Sequence, residues 1–248
     1  MCTVSAEFQE DGYSLLFNRD ERNDRPVALP PKRIPAHGEA SVPFLSPVDP
    51  QGGGTWLAVN EAGLLTGLLN LYREGAGANG SPSPDRVRSR GLLVRDLAGC
   101  PSLSHLETRL RHAAFDAYPS FLFFAIDPTN NRRIQLSWDR NQIHMADLPA
   151  APWFLATSAY RQARVIAARK ARFERERTGG KSRLDIHLGH GREAGPEEIR
   201  MRRSDARTVS ISHILISGGE ARFEYYPVTD EVQTPRISHL ALKREARM

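Results

Sequence analysis

Two alternating segments separated by a short turn signal open this chain, and they restrict its fold more than any other feature does. The segments are "CTVSAEFQ" and "YSLLFNRD", both rich in strand-forming residues with a period of two. Between them stands "EDG", and Asp-Gly is a strong signal for a two-residue hairpin turn. The chain is therefore predicted to begin with an antiparallel β-hairpin that turns at Asp11 and Gly12.

That turn determines which residues of the hairpin are neighbours. It pairs Cys2 with Glu21, and it makes Cys2 and Arg19 diagonal neighbours on one face of the hairpin. Asp20 then lies on the other face, close to the α-amine. The segment "NRDE", from Asn18 to Glu21, is thereby gathered around the N-terminus.

Further strand signals run through the rest of the chain. "GGGTWLAVNEAGLLTGLLNLY" predicts two short strands around the turn "NEAG", with Asn70 at the end of the second. "SFLFFAID", "RIQLSWD" and "QIHMADL" predict a three-stranded meander, and "WFLATS" adds another strand. "TVSISHILIS" and "ARFEYYPV", joined by "GGE", predict a further hairpin. Antiparallel pairing is expected throughout.

Helices and loops separate these strands. "SRGLLVRDLAG" and "SLSHLETRLRHAAFDAY" predict helices, the second with a capping box of Ser104 and Glu107. The proline-rich stretch at 25–52 predicts an irregular wrapping loop, and "GANGSPSPD" predicts a flexible one. Hairpins flanked by helices indicate an α+β layered sandwich.

Positive charge is concentrated in two places, residues 160–183 and 200–207, within a formal net charge of +5. Basic runs bind phosphates, but these have almost no interleaved aromatic residues and no zinc, RNP or helix-turn-helix signature. The first run predicts instead a helix at about 159–177 with a solvated basic face. The residues expected to turn inward are Val165, Ile166, Ala168 and Phe173. Nucleic-acid binding is therefore unlikely and ranks third among the functions considered.

Cys2 follows the initiator methionine directly. Cysteine is small, so Met1 is usually trimmed, and Cys2 would then carry both a thiol and the free α-amine that an N-terminal nucleophile requires. The two groups titrate about 0.5–0.8 pH units apart in model compounds, which suits proton exchange near neutral pH. Arg19 would favour the thiolate, Asp20 would hold the amine, and Asn70 would donate to an oxyanion. The alternatives are that Cys2 merely begins a strand and that Arg19 and Asp20 are surface charges.

The motifs "MCTV", "NRDE", "RP", "GGTWLAVNEAG" and "SRGLLVRDL" resemble those of the NRDE family, related to the transport-and-Golgi-organisation proteins. The resemblance covers roughly the first hundred residues, and "DARTVS" later in the chain is similar more weakly. The family is similar in turn to the N-terminal nucleophile hydrolases that cleave penicillin V and conjugated bile salts. This likeness implies one αββα four-layer domain over residues 1–248 and amide hydrolysis by an N-terminal cysteine.

The resemblance also implies roles for individual residues. Cys2 would be the nucleophile, Arg19 its partner and Asp20 the organiser of the amine, while Asn70 would complete an oxyanion hole. A second asparagine of those hydrolases falls near "ATSAY", where this chain has Ser158. A late arginine of those hydrolases would correspond to Arg203 or Arg207. The candidate substrate contacts are Asn18, Glu21, Asn60, Ser158 and Arg207, although Asn60 and Glu61 are expected first of all to make a turn, with a pocket role as the alternative.

Two functions follow from this. The first is hydrolysis of a small amide or acyl compound, which needs no metal or organic cofactor. The second is a non-catalytic carrier that binds haem or a lipid-like ligand, because relatives of the family have been tied to haem or lipid handling.

Other candidates have simpler interpretations. His187 and His190 are taken as loop histidines, with metal or haem ligation as the alternative. Cys100, the other cysteine, is expected to be a bystander. Two cysteines and the absence of a signal peptide favour a reducing cytoplasm, and no apolar run is long enough to span a bilayer.

Overall fold

The computed structural model describes residues 1–37, 41–72, 87–189 and 195–243, and within them thirteen strands form two antiparallel sheets. The first sheet has the order β10-β1-β2-β11-β12-β13 and the second has the order β3-β4-β5-β6-β7-β8-β9. Two features discussed in the sequence analysis, the loop "GANGSPSPD" and His190, lie outside the described residues. The strands are β1 Cys2–Gln9, β2 Gly12–Arg22, β3 Leu29–Ile34, β4 Phe44–Val48, β5 Leu57–Asn60, β6 Leu65–Asn70, β7 Phe121–Asp127, β8 Arg132–Trp138, β9 Ile143–Asp147, β10 Trp153–Thr157, β11 Ala206–Ser217, β12 Glu220–Pro227 and β13 Arg236–Ala241.

The helices cover the outer faces of the sheets. They are α1 Arg90–Ala98, α2 Leu103–Arg111, α3 Gln162–Thr178 and α4 Arg183–Leu188. Apolar residues of α1 and α2 pack with the outer face of the second sheet, and α3 and α4 cover the first sheet. The layers are therefore helix, sheet, sheet and helix, which confirms the predicted αββα sandwich. No helix of the described segments is both long and apolar enough to cross a bilayer.

The main core lies between the two sheets. Inward side chains of the first sheet, such as Val4, Phe17 and Phe223, meet Leu69 and Phe124 of the second sheet, and each of these five is fully buried. Cys2 belongs to this same cluster, at its edge. The alternation read in the sequence thus points the thiol into the space between the sheets.

The first hairpin closes one residue earlier than predicted. Glu10 and Asp11 form the turn, and Gln9 pairs with Gly12. Cys2 consequently lies directly opposite Arg19, so the predicted pairing of Cys2 with Glu21 is wrong. The predicted closeness of Cys2 and Arg19 survives this correction, because a shift of two residues keeps each side chain on its face.

The physical reason for the shift is the role of Gly12. Asp-Gly signals a turn because glycine adopts a positive φ easily, but Gly12 has no positive φ. Instead, a Cβ at this position would lie 1.7 Å from the carbonyl oxygen of Ile216 on β11. Glycine is needed here for the close approach of two strands.

The proline-rich stretch 25–52 contains two strands, so its prediction as an irregular loop is wrong. β3 is an edge strand, and its register shifts between Leu29 and Lys32, where two prolines stand. Proline is tolerated at an edge because the missing N–H faces no partner. The proposed capping box is also wrong. Ser102 caps α2 by accepting from the N–H of His105, and Glu107 pairs with Arg132 instead.

Candidate active site

A cavity of about 620 Å³ lies where β1 begins, β6 ends and α1 begins. Cys2, Arg19, Asp20, Glu21 and Asn70 all line it. The structure therefore brings together the four residues singled out for catalysis, although they come from three strands of two different sheets.

Arg19 is held firmly beside Cys2. The two residues are paired across β1 and β2, and both are almost fully buried. The Arg19 guanidinium donates to the Glu21 carboxylate at 3.0 Å and lies 4.3 Å from the centre of the Trp56 ring. The ring and the carboxylate thus orient a positive charge towards the cavity next to the thiol.

The thiol and the α-amine influence each other's ionisation. Burial raises the pKa of Cys2, and the Met1 ammonium and Arg19 only partly offset this. The α-amine belongs to Met1 here; burial lowers its pKa, but Cys2, Tyr72 and Asp20 outweigh burial and the pKa is raised. With Met1 in place, burial of the thiol therefore disfavours the thiolate.

Asp20 contacts the N-terminus through its main chain. Its N–H donates to the Met1 carbonyl at 3.1 Å, and its carbonyl accepts from the Met1 amine at 3.5 Å. Its carboxylate is bound elsewhere, by Arg169 at 3.0 Å and by the Thr208 hydroxyl at 2.7 Å. The side chains of Asp20 and Arg169 are both fully buried, so this ion pair anchors the end of β2 to α3.

Asn70 and Ser158 lie on two sides of the N-terminus. The Asn70 side-chain amide faces the cavity and donates to the Tyr72 hydroxyl at 3.5 Å. Ser158 follows β10, does not line the cavity, and donates to the Met1 sulfur at 3.1 Å and to the Tyr160 carbonyl at 2.7 Å. Ser158 therefore touches the residue whose removal would expose the amine of Cys2.

Like Ser158, three further candidate substrate contacts do not line the cavity. Asn18 is buried on the other face of β2, where its side chain bonds His187 and the carbonyl of Ile199. Asn60 forms the β5–β6 turn: its amide donates to carbonyls of the α1 end and its oxygen accepts from two turn N–H groups. Arg207 does not line the cavity, whereas Arg203 does.

Sequence reasoning missed several residues of the site. The Trp56 ring packs against the Arg19 guanidinium, and nothing in the sequence pattern pairs the two residues. Tyr72 bonds the α-amine at 3.2 Å, and Arg90 lines the cavity at the start of α1. Arg169 occupies the buried face of α3 between Val165 and Phe173, a spacing that a helical period could have flagged.

His187 and Cys100 take no part in the cavity. His187 lies in α4, and so its prediction as a loop histidine is wrong. It is fully buried, with one ring nitrogen 2.8 Å from the Ser5 hydroxyl and the other 2.7 Å from the Asn18 side chain. Cys100 is buried at the end of α1. Among the described residues no cluster of three or more potential metal ligands occurs.

Comparisons with known proteins agree with this architecture. The family model described as Transport and Golgi organisation 2 matches residues 1–174. A mutant of the conjugated bile acid hydrolase from Clostridium perfringens aligns at 12% identity with a TM-score of 0.57, over 99% of this chain and 94% of that chain. The Caenorhabditis elegans ortholog of N-acylethanolamine-hydrolyzing acid amidase aligns at 8% identity with a TM-score of 0.52, over 86% and 92%. No curated protein sequence matches the chain. At these identities the likeness establishes the N-terminal nucleophile hydrolase fold alone.

Proposed function

Because this chain belongs to the Transport and Golgi organisation 2 family and has an N-terminal nucleophile hydrolase fold, we propose that it is an amidohydrolase acting on a small amide or acyl compound. The observation that carries the proposal is that Cys2, Arg19 and Asn70 line one cavity at the start of the chain. The two solved relatives are named as hydrolases of conjugated bile acids and of N-acylethanolamines.

Removal of Met1 is the first step that the proposal requires. It frees the amine of Cys2 and vacates the space that the Met1 side chain fills beside Tyr72, Met201 and Ala206. It also takes away part of the cover that buries the thiol. Since burial is the main reason for the raised thiol pKa, trimming shifts the balance towards the thiolate, which Arg19 stabilises.

The proposed chemistry then follows from these groups. The Cys2 thiolate attacks the amide carbon and forms a C–S bond, while the carbonyl oxygen becomes an oxyanion that the Asn70 amide can stabilise. The C–N bond breaks, and the leaving amine takes its proton from the α-ammonium. The α-amine next accepts a proton from water, whose hydroxide cleaves the thioester. The products are a carboxylic acid and an amine, and the Cys2 thiolate and the α-ammonium are restored.

Acyl transfer to Cys2 tests this proposal. The untagged protein is incubated with a panel of chromogenic N-acyl anilides of different chain lengths, quenched in acid and mapped by mass spectrometry. We expect an acyl adduct on Cys2 with at least one member, absent in Cys2→Ala and reduced about 10²-fold or more in rate in Asn70→Ala. The proposal would be contradicted if no member of the panel gave an acyl adduct and none released product.

A non-catalytic carrier is the second candidate. The observation that favours it is the state of the site with Met1 in place, where the amine is covered and burial raises the pKa of the thiol. Among the described residues that line the cavity, Met1, Cys2 and Tyr72 carry side chains that can serve as axial ligands of haem, and none is a histidine. Haem titration followed by absorbance, compared between the wild type and Cys2→Ala, distinguishes a carrier from an amidohydrolase.

A further inference from the structure

Arginines are unusually frequent around the cavity, and most of them already have carboxylate partners. Arg19 pairs with Glu21, and Arg25 with Asp49. The others with acidic partners are Arg22 with Asp24, Arg88 with Asp96, and Arg203 with Asp205. Among the described residues that line the cavity, Arg90 is the one arginine with no carboxylate partner.

Arg90 keeps donors for another molecule. One terminal nitrogen, Nη1, donates to the carbonyl of Ser120 at 2.9 Å, which fixes the direction of the side chain. Its Nε and Nη2 have no hydrogen-bond partner among the described residues, and the residue lines the cavity. A guanidinium remains charged at neutral pH and presents its N–H groups as a planar fork, which matches a carboxylate or a phosphate.

The position of Arg90 places this charge near the reacting group. It is the first residue of α1 and lines the same cavity as Cys2, and burial lowers the pKa of its guanidinium. Ser89 before it also lines the cavity, and its side chain makes no capping bond. A partly buried cation without a counter-charge is unfavourable, so an incoming anion gains by neutralising it.

We propose that Arg90 binds an anionic oxygen group of the ligand, a carboxylate or a phosphate, close to the bond that Cys2 attacks. The inference rests on the proposed function for the position of that bond, but it concerns binding and does not require turnover. It assigns the substrate to acyl compounds that carry a negative charge near the scissile group. Neutral amides of the same length are then poor ligands.

Matched ligand pairs test the proposal by binding alone. The full chain with Cys2→Ala is titrated calorimetrically with N-octanoylglycine against N-octanoylglycinamide, and with N-octanoylethanolamine phosphate against N-octanoylethanolamine. We expect the anionic member of at least one pair to bind about tenfold or more tightly than its neutral partner, as a charge-assisted bond implies. The pair that shows the larger ratio identifies the group as carboxylate or phosphate.

Variants at position 90 identify the residue responsible. Arg90→Gln should bring the ratio close to one and leave binding of the neutral ligand within about threefold, whereas Arg90→Lys should keep part of the preference. Arg88→Gln is the matched control, since Arg88 bonds Asp96 and its guanidinium lies over the Tyr118 ring. It should leave the ratio unchanged. The unfolding midpoints of all variants are compared to confirm that each is folded.

The outcomes separate this inference from the proposed function. Three results would overturn the anion subsite. They are an affinity ratio of anionic to neutral ligand near one in the Cys2→Ala protein that keeps Arg90, a ratio that Arg90→Gln leaves unchanged, and no binding of any probe. Selective binding that depends on Arg90, without acyl transfer to Cys2 in the wild type, keeps the subsite and rejects the hydrolase. Acyl transfer to Cys2 with no preference for anionic ligands keeps the hydrolase and rejects the subsite.

Discussion

At the scale of single residues, burial and neighbouring charges have opposite effects on the pKa of the Cys2 thiol. Burial favours the neutral thiol, while the α-ammonium and Arg19 favour the thiolate. Each pKa unit of that balance is worth about 1.4 kcal/mol. The Trp56 ring and Glu21 carboxylate hold Arg19 in place, so the charge beside the thiol is preorganised.

The buried pair of Asp20 and Arg169 is the residue-scale feature with the largest expected effect on stability. Arg169→Leu leaves the Asp20 carboxylate buried without its counter-charge, and Thr208 alone cannot compensate. We expect the free energy of unfolding to fall by about 3–5 kcal/mol, measured by urea denaturation. The combined change Asp20→Asn with Arg169→Leu should recover part of the loss, because it removes both charges.

Arg164→Gln provides the matched control on the same helix. Arg164 bonds Glu197 at 2.6 Å, but both side chains are exposed to solvent. An exposed ion pair contributes about 1 kcal/mol or less. A loss in Arg169→Leu no greater than that of Arg164→Gln would contradict the anchoring role of Arg169.

At the scale of elements, strands with clear alternation were predictable and those rich in proline were not. The meander β7–β9 and the hairpin β11–β12 follow their sequence signals, and Gly218 and Gly219 supply the positive φ values of the β11–β12 turn. β3 and β4 were hidden because prolines lower strand propensity without forbidding an edge position. Similarly, the sequence predicts a turn role for Gly12, whereas the close approach of β11 is the reason that a glycine is needed there.

The candidate site was predictable only as far as the hairpin. Parity of strand positions puts Cys2 and Arg19 on one face for any two-residue turn. The sequence pattern places Asn70 at the end of a predicted strand, but no local pattern tells that this strand of the other sheet ends beside β1. Arg90 and Tyr72 reach the cavity because α1 packs near the end of β6. Local hydrophobic periodicity in a single sequence does not predict such long-range packing.

At the scale of the whole molecule, the two sheets meet over one core and leave the cavity at one end of it. Polar networks fasten the outer helices to the first sheet. His187 of α4 is the clearest example, because its ring bonds Ser5 of β1 and Asn18 of β2. Burial lowers the pKa of His187 well below its ordinary value, and Arg183 and His213 act in the same direction.

The stability of the fold should therefore decline in mild acid. The unfolded chain takes up a proton on this histidine near pH 6.5 while the folded protein does not, so unfolding becomes more favourable as the pH falls below that value. Burial likewise lowers the pKa of His213. We expect the free energy of unfolding to drop by up to about 1.4 kcal/mol per pH unit for each buried histidine between pH 6.5 and the folded pKa.

Thermal or urea unfolding between pH 7.5 and 5.5 measures this slope. His187→Gln should reduce the slope even if it lowers stability at every pH, and His144→Gln, at an exposed position on β9, should not change it. Stability that is constant across this range in the wild type would contradict the assignment of His187 as a neutral, buried group.

The central claim is that Cys2 is a nucleophile at the true N-terminus, and one measurement addresses it directly. The intact mass of the untagged protein is recorded before and after brief alkylation at pH 7, and the modified peptides are mapped. We expect that Met1 is absent, that Cys2 reacts much faster than the buried Cys100, and that Arg19→Ala removes this difference in rate. Retention of Met1, or a Cys2 no more reactive than Cys100, would contradict it.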